Sequence, residues 1–319
     1  MLTVYENPGQ PGPGTRFSPA LAEVSSQCEL RAGVSAKPPV FLLSGAPGRP
    51  FALQNLPPFP AIALRVAQLI SNEDVWVKEL SDLIRADQSL SAELLRMANS
   101  PLFGFRREIT SVVQAVALLG QERIRGLALT AGMQSYLARP LKIPALHLCW
   151  QHSLASAIAA EKLARVAYME EDSAYTAGLL HDIGRLALMV ADPARYAQLL
   201  AVVEDGTGDV RKCEREWFGM DHCEAGQWLV EEWGLPGVFG MTAGGHHQTA
   251  QSDKFDMVAL VGMACQIADA LGFTAVKPLA ARTIEEVLTE LPAKDMARVL
   301  PYADQLGFEI ALKVNSLEM

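Results

Sequence analysis

Residues 177–190, AGLLHDIGRLALMV, read as a buried apolar helix interrupted at His181-Asp182, with Arg185 just after. Taking a titratable pair out of water is costly unless the pair is bound to something. The chain has six histidines, and five stand where a metal site would draw on them: His152, His181, His222, His246 and His247. Adding Asp182 and Asp269 gives seven candidate ligands. Neutral imidazole and carboxylate suit Zn, Fe, Mn or Mg, with geometry choosing among them. Taken singly, each histidine reads better as a core residue hydrogen-bonded to a carboxylate or carbonyl. The set taken together favours metal.

Donors from four segments converge within roughly 2.0–2.2 Å of an ion only if their backbones approach closely. The neighbours allow this. Gly178 lies one turn before His181-Asp182, Ala155 and Ser156 one turn after His152, Gly244-Gly245 precede the His246-His247 doublet, and Ala268 and Ala270 flank Asp269.

The elements that must carry these residues are helices. Leu and Ile recur three or four apart in AIALRVAQLIS (61–71), WVKELSDLIRA (76–86) and SLSAELLRMA (89–98), whereas strand-like alternation is almost absent. Capping boxes are expected at Ser111 with Gln114 and at Thr283 with Glu286. Further helices are predicted over 145–167, 172–191, 193–204, 221–233, 256–272 and 293–314. The expected class is all-α, with no fixed-period repeat of the kind that marks a solenoid. Residues 1–52, rich in Pro and Gly, read as an extension; 53–139 as an N-terminal helical lobe; and 140–319 as a helical domain holding the histidines, the boundary set by LARPLKIP.

Composition narrows the function. The net charge is −9 and half of the chain is apolar. Lys and Arg never gather into a stripe, which argues against a nucleic-acid partner. The apolar run MVALVGMAC (257–265) is far short of the ~20 residues of a membrane span, and the N-terminus lacks a signal-peptide pattern, so a cytoplasmic protein without membrane contact is expected. Cys28, Cys149, Cys213, Cys223 and Cys265 are scattered and odd in number, and read as reduced, small buried hydrophobes. There is no P-loop, HExxH or GxSxG, and GAPGRP (45–50) lacks a strand-loop-helix context.

Trp150-Gln-His152-Ser, LLHDIGRL, FGMDHCEAG, His246-His247 and IADALG resemble, in type and order, the HD superfamily of metal-dependent phosphohydrolases. LPPFPAIALRVAQLIS, IRADQSLSAELLRMANSPLFG and ITSVVQAVALLGQERIRGLAL are similar to the HDOD family, all-helical output domains of bacterial signalling proteins, over roughly 54–273. That resemblance implies an N-terminal helical lobe packed on an HD-like domain, and a regulatory module acting through signalling-protein partners.

The resemblance to catalytic HD relatives implies a divalent metal. His152, His181, Asp182 and Asp269 would hold one ion; His222, His246 and His247 would hold a second, with Asp182 bridging. If active, such a pair would generate hydroxide against a phosphate ester, with Asp182 and Arg185 as catalytic residues and a nucleotide or cyclic dinucleotide as ligand. Three departures from the branch that hydrolyses cyclic di-GMP weigh against that activity. Arg185 stands for its lysine, Gln248 for its glutamate, and TAQSDKFD (249–256) for its Gly-Tyr-Pro loop. Arg185 suits either a phosphate-gripping fork or an ion pair at a helix end.

Overall fold

The first long helix of the C-terminal part explains the architecture. Pro144–Ala167 buries residues on nearly all of its sides, including Trp150, His152, Ser156 and Glu161, so other helices must surround it. In the computed structural model, the described residues are 49–70, 76–100, 103–137, 144–203, 209–248, 255–274, 276 and 280–318, and they contain no strand. The helices are α1 Ala61–Leu69, α2 Val77–Arg85, α3 Gln88–Ala98, α4 Val112–Leu119, α5 Gln121–Leu137 and α6 Pro144–Ala167. They continue as α7 Glu171–Leu180, α8 Ile183–Ala191, α9 Pro193–Val203, α10 Val210–Phe218, α11 His222–Glu232 and α12 Gly237–Gly245. The last four are α13 Met257–Ala270, α14 Ile284–Leu288, α15 Ala293–Val299 and α16 Ala303–Glu318.

Helices α1, α3 and α4 pack on α5, α2 packs on α1, α3 and α4, and α5 in turn lies on α7. Helix α6 is sheathed by α7, α13 and α16, while α8, α11 and α12 form a second layer beside them. One apolar core runs through both parts, with Trp150, Tyr175, Tyr196 and Phe239 fully buried. Arg123 ties α5 to the histidine-bearing part, with ion pairs to Glu161 at 2.7 Å and Asp172 at 2.5 Å. No single helix among the described residues is long and apolar enough to cross a membrane.

Several expectations need correcting. The helix expected over 172–191 breaks at His181-Asp182, where Asp182 takes φ −105° and ψ 16°. This sparsely populated bridge conformation re-aims a side chain out of helical register. The helix expected over 293–314 is interrupted by a 3-10 turn at Leu300–Tyr302, because Pro301 has no N–H and its ring clashes with the preceding turn. The structure adds α10 and α12, which the sequence reading omitted. The latter has glycine at four of its nine positions, so its intrinsic helix propensity is poor and packing sustains it.

Of the two capping boxes, Thr283 and Glu286 make both reciprocal bonds. Ser111 accepts from the Gln114 N–H, but the Gln114 side chain accepts from Thr110 instead. The segment Phe51–Leu53, at the edge of the expected extension, forms a 3-10 turn with Leu53 buried. Residues 1–48, the boundary at Arg139-Pro140 and Cys28 lie outside the described residues.

Candidate metal centre

Glycine sets how closely the donor-bearing backbones meet. A Cβ at Gly178 would lie 2.8 Å from the Ser156 carbonyl oxygen and from Ala157 Cα, so α7 rests directly on the α6 backbone next to His152. Gly184 is tighter: a Cβ there would stand 2.0 Å from the His222 carbonyl oxygen and 2.4 Å from Gly226 N. The turn between α7 and α8 therefore reaches α6 on one side and α11 on the other.

Capping fixes where α11 begins. Asp221 accepts from the Glu224 N–H while Glu224 accepts from the Asp221 N–H, an arrangement worth about 1 kcal/mol that places His222 at the first helical position. Asp209 caps α10 and Asp256 caps α13 with a carboxylate that accepts from first-turn N–H groups, without the reciprocal bond.

Three imidazoles share one device. His152 Nδ1–H donates to the Phe273 carbonyl at 2.6 Å, His181 Nδ1–H to the Gly178 carbonyl at 2.7 Å, and His246 Nδ1–H to the Ala243 carbonyl at 3.0 Å. A proton committed to Nδ1 leaves Nε2 as a lone pair, the tautomer a metal ligand needs. The Nε2 atoms of His152 and His181 then face each other at 3.3 Å. His246 Nε2 is buried without a hydrogen-bond partner, as is Asp182 Oδ1, and the two are 3.6 Å apart. Burial holds the His181 and His246 imidazoles below their ordinary pKa, and hence neutral near pH 7.

The other side of the cluster already carries positive charge. Arg185 Nε lies 3.2 Å from Asp182 Oδ2, and Arg185 Nη2 lies 3.1 Å from His222 Nε2. Burial alone would raise the Asp182 carboxyl; Arg185 above all, with His181, reverses this and holds it well below the usual carboxylate range. His222 Nδ1–H donates to Glu214 Oε2 at 2.6 Å, and Tyr196 O–H donates to the other Glu214 oxygen. Burial and Arg185 lower the His222 pKa, but Glu214 above all, with Cys223, outweighs them and raises it to about 10. His222 Nε2–H then points at His247 Nε2, 3.0 Å away.

The structure thus brings together six of the seven sequence-predicted ligands: His152, His181, Asp182, His222, His246 and His247. Asp269 is not among them. Its Oδ1 lies 3.4 Å from His152 Nδ1, the ring nitrogen turned away from the cluster. Cys265, one helical turn earlier, has its Sγ 3.4 Å from His152 Nε2. Two groups escaped the sequence reading. Cys265 shares a face with Asp269 at i, i+4 spacing, and Glu214 occupies the stripe Val210, Cys213, Glu214, Trp217, where an apolar residue was due. Cys223 adds a thiol beside His222, His246 and His247.

The donor set fits a divalent cation. His152, His181 and His246 offer lone pairs with no proton to share, Asp182 offers a charged oxygen, and the N···N separation of 3.3 Å equals the ~3.3 Å ligand–ligand edge of a tetrahedral zinc-type site. The donors are enclosed: His181 and His222 are fully buried and Asp182 is 2 % exposed, and among them only His247 reaches the surface.

Comparison with known proteins follows the same lines. The HDOD domain family model matches residues 56–249. An HDOD domain protein of unknown function from Geobacter sulfurreducens superposes with a TM-score of 0.69 at 27 % identity, over 83 % of this chain and 94 % of its own. A Shewanella amazonensis SB2B protein, provisionally called a phosphohydrolase, shares the fold with a TM-score of 0.60 at 24 % identity, over 85 % of this chain and 94 % of its own. An uncharacterised Treponema pallidum protein is 24 % identical over 198 residues, 61 % of this chain, which spans only 38 % of that relative's length.

Proposed function

This chain belongs to the HDOD family, and from that premise we propose that it is a bacterial signal-transduction module whose HD-like half binds a divalent metal and passes its state to a protein partner. The observation that carries the metal is the pair of buried Nε2 lone pairs of His152 and His181, 3.3 Å apart, each fixed by an Nδ1–H bond to a carbonyl. Two lone pairs held at that distance repel unless a cation or a proton lies between them. His152 and His181 would hold the ion, with Asp182 and His246 grouped on the other side of His181; Fe, Mn, Zn and Mg are the candidates, and the metal would supply Lewis acidity and a fixed charge at the α7–α8 turn.

A second reading is a phosphohydrolase with two ions, acting on a nucleotide or cyclic dinucleotide. It draws on Asp182 Oδ1, which lies 3.6 Å from both His222 Nε2 and His246 Nε2, as a bridging carboxylate would. Arg185 favours the regulatory reading, because its guanidinium stands against His222 where the second ion would draw its ligands. The enclosure of the donors favours it too, since a phosphodiester substrate needs access.

Elemental analysis of protein purified without chelator tests the first reading. About one metal per chain and no turnover of bis-p-nitrophenyl phosphate or cyclic dinucleotides is the expected result. Metal-free protein whose melting temperature ignores added Mn, Fe or Zn would refute metal binding. Turnover by the metal-loaded protein would replace the first reading with the second.

A further inference from the structure

We propose that Cys265, rather than Asp269, is the α13 donor of the metal centre, so that the ion is held by one thiolate together with His152 and His181. The proposal rests on the metal-binding reading above and names a ligand that neither the sequence motif nor the family resemblance supplies.

The geometry is specific. Cys265 Sγ lies 3.4 Å from His152 Nε2, which lies 3.3 Å from His181 Nε2, and the three atoms belong to one tight group of ligand atoms. With metal–sulfur bonds of about 2.3 Å and metal–nitrogen bonds of about 2.0–2.1 Å, a tetrahedral site has S···N edges of about 3.5 Å and N···N edges of about 3.3 Å. The thiol and both imidazoles are at least nine-tenths buried and belong to three different helices or their ends, α13, α6 and α7. No cysteine is paired with another among the described residues, so the sulfur is free to bind.

Asp269 faces the other way. Its carboxylate is next to His152 Nδ1 at 3.4 Å. It is a positioning residue, helping the Phe273 carbonyl hold the ring so that Nε2 points at the sulfur. On binding, the Sγ–H bond breaks, an Sγ–metal bond forms, and the proton leaves to solvent. A thiolate turns preference towards borderline-soft Zn or Fe(II) and away from Mg.

Cobalt(II) is the probe, because it accepts the same ligands and its spectrum reports them. The metal-free full chain titrated with cobalt(II) is expected to show visible ligand-field bands and an intense near-ultraviolet thiolate-to-cobalt charge-transfer band. Cys265→Ser should abolish the charge-transfer band and weaken cobalt binding at least tenfold, with helical circular dichroism unchanged. Cys223→Ser and Asp269→Asn should keep the charge-transfer band. Bound cobalt without that band in the unmodified protein, or loss of the band in Cys223→Ser and not in Cys265→Ser, overturns the thiolate assignment and leaves the metal reading standing. Absence of any cobalt uptake overturns both. Should Cys265→Ser fail to fold, the unmodified protein's spectrum and that of Cys223→Ser decide the matter.

Discussion

Asp182 and Arg185, three residues apart across the first turn of α8, form a fully enclosed ion pair with Nε 3.2 Å from Oδ2. Removing one partner leaves the other buried and uncompensated, which typically costs about 3–5 kcal/mol. Arg185→Met in metal-free protein is therefore expected to lose stability on that scale. Divalent metal should recover more of the loss in the variant than it adds to the unmodified chain, because a cation then takes over the charge on Asp182. Urea denaturation of both proteins with and without zinc measures this; equal metal increments in the two would contradict it.

Glu214 sets a pH dependence. Its contact with His222 is the foremost of the influences, Cys223 being the other, that raise that folded-state pKa from 6.5 to about 10. A raised pKa contributes stability that is complete below the unfolded-state value and is lost as pH climbs through the folded-state value. Metal-free protein should accordingly lose stability between about pH 6.5 and 10. Glu214→Gln keeps a hydrogen-bond acceptor but removes the charge, so its stability should change less over the same interval. Denaturation midpoints at pH 6, 8 and 10 give the comparison, and parallel curves would rule the coupling out.

Gly184 is a packing requirement. A Cβ there would meet the His222 carbonyl oxygen at 2.0 Å, a backbone atom with no rotamer to adjust. Gly184→Ala should force α8 away from α11 and cost more than the roughly 1–3 kcal/mol of ordinary overpacking. Gly237→Ala, at the start of α12 with nothing within 4 Å of the added carbon, should be neutral or slightly stabilising. Thermal melts of the two variants test the contrast.

Metal binding should be visible as stability. A ligand at a hundredfold excess over its Kd and bound only by the folded state adds about 2.7 kcal/mol, or roughly 4 °C in a chain of this size. His181→Ala, alone or with Asp182→Ala, should abolish both that rise and metal uptake. A full rise in the double variant would place the ion elsewhere.

The sequence by itself determined the helical class, most of the helix starts and the residue types of the centre. These are local properties: apolar spacing, capping side chains and the chemistry of imidazole and carboxylate belong to the chain whatever its partners. It also marked Gly178 as a point of close approach, since a missing side chain next to buried donors has few other uses. Tertiary structure decided which donors meet. The break at His181-Asp182 depends on contacts that α7 and α8 make with α6 and α11, so a strongly apolar stretch read in isolation continues as one helix. The orientation of α13 turns Cys265 towards His152 Nε2 and Asp269 towards Nδ1. Both residues lie one turn apart on the same face, and no linear pattern distinguishes them. Glu214 was hidden for the same reason, because its partners Tyr196 and His222 come from separate helices and only packing makes a buried glutamate at that position a link between them.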